Sequence, residues 1–151
     1  MCAILNPLIA AGDSTAHSRA FDPDRMRHHY IAPSAGISCM VAEVAGGVVG
    51  FQSLVWADSS DDPLPPGWTV IASFVAPGQG GRGIGRALFG TTCIAARGAG
   101  AGVIDATIRA DNASGLAYYT AMGFTDWDVL RDMPLSDGRL VDRIRKRFDL
   151  A

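Results

Sequence analysis

The chain has 151 residues, room for one domain with a proper core, and its 48% hydrophobic and 19% charged content is globular rather than disordered or disulfide-scaffolded. A net charge of −2 leaves no footprint for nucleic-acid binding, and the locally basic Arg143, Arg145, Lys146 and Arg147 read as the solvated face of a strand. Cys2, Cys39 and Cys93 are scattered without CxxC spacing, which argues against a disulfide framework or a metal site and for a reducing compartment, the cytoplasm.

The apolar start lacks a positive n-region and is interrupted by Pro7 and Asp13, so neither a cleavable signal nor a membrane span is expected there or elsewhere. Residues 3–11 predict a short helix and 21–30 a second one, capped by Asp22 with Pro23 at its first position. Residues 37–44 and 48–56 predict an antiparallel pair turned at Ala45-Gly46-Gly47. Residues 58–67, rich in Ser, Asp and Pro, predict a surface loop on the substrate side. The apolar run 69–75 reads as a mid-sheet strand buried on both faces. From Gly83 a helix is expected, stopped by Gly98 to Gly102, and then a strand over 103–109. Asn112 caps a further helix that ends at Gly123, and strands over 124–130 and 140–148 flank a turn at Ser136-Asp137-Gly138. The whole is a single α/β (α+β) domain spanning 1–151, without repeat or linker.

The strand ending at Val75 runs through Gly78-Gln79-Gly80-Gly81-Arg82-Gly83-Ile84-Gly85-Arg86 into a helix. Glycines let backbone N–H groups approach a phosphate, and the first helical turn adds unpaired donors and a positive dipole end. The loop also satisfies GxGxxG, and Asp105 stands where a ribose-binding acid would, so a dinucleotide-binding oxidoreductase domain is a competing reading. The hairpin before the loop and the short chain after it argue against that reading.

Residues 75–88 closely resemble the pyrophosphate motif of GNAT acetyltransferases, Q/R-x-x-G-x-G/A, with Gly80 at the Gln/Arg position, Gln79 one place early, and Gly83 and Gly85 on its glycines. Asn112, Gly115, Tyr119, Gly123 and Phe124 fall on that superfamily's N-x-x-A-x-x-x-Y-x-x-x-G-F pattern, with Gly115 for the alanine. The stretch 107–112 with Tyr118-Tyr119 is most similar to the small amino-acid branch that includes phosphinothricin acetyltransferases. Val70 and Ile71 stand where that branch tends to carry a carboxylate.

The resemblance implies a mixed, mostly antiparallel sheet splayed at its middle and flanked by helices, here without the family's first strand. It implies acetyl-CoA as cosubstrate, a small-molecule amine as acceptor and a homodimer. Ser73, Phe74 and Val75 would line the pantetheine, Gly81, Arg82, Gly83, Ile84, Gly85 and Arg86 would hold the pyrophosphate, and Asn112 would contact the cofactor arm. A bulge at Val75-Ala76 would supply an oxyanion donor, and Tyr119 would be the general acid, Tyr118 pointing elsewhere around the helix. Glu43, His28 and His29 are the candidate bases, each also readable as a surface group, while Cys93 reads as core. A catalytically silent acetyl-CoA-binding module remains a third reading.

Overall fold

The computed structural model describes residues 1–150. Helix α1 (Cys2–Ala11) ends where Gly12, at φ 74°, turns its N–H back to Leu8 O. Helix α2 (Pro23–Met26) starts as expected, with the Asp22 carboxylate accepting from Arg25 N–H at 2.8 Å. It continues as a π-helical turn over Arg27–Ile31, closed by Ala32 N–H on Arg27 O, which sets Tyr30 into the interior.

The strands are β1 (Gly36–Val44), β2 (Gly47–Trp56), β3 (Trp68–Val75), β4 (Val103–Arg109), β5 (Thr125–Pro134) and β6 (Leu140–Asp149). They form one sheet in the order β1-β2-β3-β4-β6-β5, antiparallel except between β3 and β4. The β1–β2 turn needs two positive φ angles and takes them at Ala45 (51°) and Gly46 (80°). Helix α3 (Ile84–Gly98) joins β3 to β4, and α4 (Ala113–Ala121) follows β4.

Each face of the sheet carries its own core. Ile71, Ile104, Ala106 and Ile108 pack with Phe89, Cys93 and Ala96 of α3 and with Tyr119 and Phe124. Phe51, Ala72 and Phe74 meet Ile4 and Leu5 of α1 together with Phe21, Met26 and Tyr30 on the opposite face. Alternation along β2 and β3 therefore sends Gln52 and Ser73 toward α4, and Phe51 and Phe74 toward α1.

Two expectations about polar residues are corrected here. The basic tail is not a solvated face: Arg145 and Lys146 are 3% and 6% exposed. Arg145 pairs with Asp105 at 3.1 Å and Asp62 at 2.8 Å, and Lys146 bonds Thr120 and Asp126. Asp105 is fully buried, accepts from Trp127 Nε1 at 2.8 Å, and so ties β4 to β5 and β6 rather than holding a ribose.

Candidate active site

Strands β3 and β4 pair only through Trp68↔Val103, Thr69↔Ile104 and Val70↔Asp105. Beyond that, β3 stays on β2 as far as Gly50↔Val75, while β4 stays on β6 as far as Arg109↔Arg143. The two strands part, and a cavity of about 780 Å³ fills the wedge. This is why only Thr69 and Ile71 of β3 are buried, where a strand covered on both faces was expected.

The expected bulge at Val75-Ala76 is absent, because the β2–β3 register runs unbroken. Ala76 N–H is spent on Val49 O at 2.8 Å, so by the alternation of an antiparallel ladder the backbone groups of Val75 and Ser73 face the other way, into the wedge. Departure of β4 leaves these donors without a strand partner.

One end of the cavity is the glycine loop. Gly78, Gly81 and Gly83 have φ of 78°, 75° and 77°, and a Cβ built on any of them would meet no atom within 4 Å. Ala87 N–H is bonded to Gly83 O, so the N–H groups of Ile84, Gly85 and Arg86 have no partner in the helix. An open cradle of backbone donors at a helix N-terminus fits a pyrophosphate. Gly81, Gly83, Ile84, Gly85 and Arg86 line it; Arg82 does not, its guanidinium being bonded to Gln79 Oε1 at 2.6 Å on the outside.

Asn112 lines the cavity but is structurally committed, its Oδ1 capping Gly115 N–H at 2.9 Å and its Nδ2 donating to Ser14 O at 3.0 Å. Gly115 stands in place of an alanine because a Cβ there would lie 2.7 Å from Asn112 Nδ2.

Midway along the wedge lies a chain of hydroxyls. Gln52 Nε2 donates to Ser73 Oγ at 2.7 Å and, more weakly, to Tyr118 Oη at 3.2 Å. Ser73 Oγ and Tyr119 Oη are 2.9 Å apart, and Tyr118 Oη donates to Gly85 O at 2.9 Å. Both tyrosines thus reach one cluster and both line the cavity, which corrects the expectation that Tyr118 must point elsewhere. Burial pushes both phenols above their ordinary range, Tyr119 much further.

The other end opens on the α1 face and is lined by Leu8, the segment from Ser14 to His17, Tyr30, Thr107, Arg109 and Arg143. Arg109 is 5% exposed and fully committed, doubly to Asp111 and to the carbonyls of Gly12 and Thr15. His17 Nε2 lies 2.5 Å from Tyr30 Oη. Its imidazole is pushed down to about 4 by burial and by the nearby His29 and Arg25.

None of residues 58–67 lines this cavity, contrary to the expectation that the loop forms the substrate side. Glu43, on β1 at the sheet edge, and His28 and His29 are exposed and do not line it either. Cys93 is buried in the core, where burial raises its thiol. Gln52, His17, Tyr30, Tyr118 and Arg143 were not foreseen.

Residues 8–124 match the acetyltransferase (GNAT) family, and the chain belongs to it. The N-acetyltransferase of Staphylococcus aureus Mu50 superposes with a TM-score of 0.80 at 20% identity, covering 99% of this chain and 90% of that one. A protein of Salmonella typhimurium solved with its cofactor acetyl-CoA gives 0.78 at 23% identity over 99% and 86%. A structure described as a phosphinothricin N-acetyltransferase gives 0.81 at 21% identity over 100% and 91%. No curated protein matches in sequence. The chain is an N-acetyltransferase with acetyl-CoA as its cosubstrate, and the oxidoreductase reading falls with the doubly wound sheet it required.

Proposed function

We propose that the chain transfers the acetyl group of acetyl-CoA to the amine of a small molecule, an amino acid or analogue among the candidates, by direct attack on the thioester. The observation that carries this reading is the single wedge between β3 and β4, which joins a phosphate cradle at one end to a polar pocket at the other.

Acetyl-CoA supplies the activated acyl group. The N–C bond forms as the C–S bond breaks, the ammonium proton leaves to water, and the departing thiolate must be protonated. The cleft-facing N–H groups of Ser73 and Val75 are aimed where charge develops on the carbonyl oxygen. Tyr119 serves as the acid. Gln52 donates to Ser73, which frees the Ser73 hydroxyl to donate to Tyr119 Oη, and the Tyr119 proton is left for the thiolate. Tyr118 has its proton committed to Gly85 O and acts as the strut of this cluster.

Among the described residues no helix is long and apolar enough to cross a membrane. We place the enzyme in the cytoplasm, where its three free thiols are compatible with reduction, and assign it as a homodimer, to be checked by sedimentation. Incubation with acetyl-CoA and a mixed amine library, read as free thiol and acetylated product, tests the function. Thiol release dependent on an amine is expected, and binding of acetyl-CoA without turnover of any amine would instead make the chain a silent binding module.

A further inference from the structure

We infer that Arg143 is the seat for an anionic group of the acceptor, so that the preferred acceptor is a small amine that also bears a carboxylate or a phosphorus oxyanion. The inference rests on the transfer reading above and concerns the end of the wedge away from the glycine loop.

Three arginines, Arg143, Arg145 and Arg147, alternate along one face of β6. Arg145 is neutralised by Asp105 and Asp62 and lies over Trp127; Arg147 pairs with Asp149 and lies over Trp68. Arg143 differs. Among the described residues its side chain has no hydrogen bond and no carboxylate within ion-pair distance, whereas a buried Nε without a partner is common to all three. Three of the nearby acids are held by other groups: Asp111 by Arg109, Asp142 by Arg131 and the Asp132 N–H, and Asp105 by Arg145 and Trp127.

A half-buried guanidinium without a counter-charge is costly, and an unsatisfied buried group in a folded protein calls for a partner. Arg143 lines the cavity, beside Thr107 and Arg109, so the partner belongs in the cavity. Arg109 cannot fill this role, since its donors already hold Asp111, Gly12 and Thr15. A guanidinium fork matches a carboxylate or an oxyanion of phosphorus, whereas it repels a polyamine.

The test is a turnover panel with acetyl-CoA: α-amino acids, aminophosphonates, the matching amines without the anionic group, and a polyamine. The anionic amines are expected to exceed their anion-free counterparts at least about tenfold in kcat/KM, and the better of the two series identifies the oxyanion. Arg143→Gln is expected to collapse that ratio toward one mainly through KM for the anionic amine, with acetyl-CoA affinity held, and Arg143→Lys to keep part of it. Equal turnover of anion-free amines by the parent enzyme, or an undiminished ratio in Arg143→Gln, would overturn the role of Arg143 alone. No turnover of any amine by a chain that binds acetyl-CoA would overturn the transfer reading, and this inference with it.

Discussion

Tyr118 lies across Gly85: its hydroxyl donates to the Gly85 carbonyl at 2.9 Å, and a Cβ on Gly85 would come within 2.6 Å of the Tyr118 ring. The glycine is required there less by φ than by a side chain that joins the phosphate-binding turn to the hydroxyl cluster. Gly85→Val should displace Tyr118 and the first turn of α3 together, and weaken acetyl-CoA binding at least about tenfold, or 1.4 kcal/mol. Calorimetric titration of a folded variant would show this; unchanged affinity would remove the glycine loop from the cofactor site.

Gly83 is constrained for a different reason. It has open space around it but a φ of 77°, so Gly83→Ala should lower stability by about 1–2 kcal/mol through backbone strain alone. Arg82→Ala, outside the cavity, should cost far less in acetyl-CoA affinity and only through a field that salt screens. Denaturant unfolding and salt-dependent titration separate the two effects.

The sequence carried the elements of this fold because their signals are local: the Asp22 cap, the Ala45-Gly46 turn, the Asn112 cap and the glycines before α3 are each read within a few residues. The same holds for the motif-bearing wall of the cleft. Its other wall is assembled at long range. Gln52 matters because it is paired with Ser73, Tyr30 because a π-helical turn rotates it inward, and Arg143 because Arg109 opposite it is already neutralised. No spacing in the sequence announces such relations. The basic tail misled for a related reason, since its counter-ions, Asp105, Asp62 and Asp126, come from three distant segments.

Asp105 is the test of that buried network. Removing one partner of a buried ion pair strands the other, so Asp105→Ala should lose about 3–5 kcal/mol of stability. Urea unfolding measures it. NAD should give no thermal stabilisation to the parent protein, since the acid that would have met a ribose is enclosed by Arg145 and Trp127.

The segment after α1 is tied down by Arg109, whose bidentate bond to Asp111 holds that carboxyl below its ordinary value. A lowered folded pKa gives stability that is present above the unfolded value of 3.8 and is lost as pH falls through the folded one. Asp111→Asn should therefore lower Tm at neutral pH, and the gap from the parent should close below about pH 4. A gap that persists in acid would assign the effect to packing.

The central claim is that the wedge between β3 and β4 is an acyl-transfer site with Tyr119 as its acid, and kcat of Tyr119→Phe at saturating acetyl-CoA tests it most directly. The substitution deletes one hydroxyl and keeps the ring packed on Tyr118 and Phe124. Folding and acetyl-CoA affinity should hold, while kcat falls by roughly 10²–10⁴ and Tyr118→Phe does much less. A Tyr119→Phe enzyme with near-full kcat across the alkaline plateau would contradict the assignment, leaving the tyrosine as packing and water as the acid.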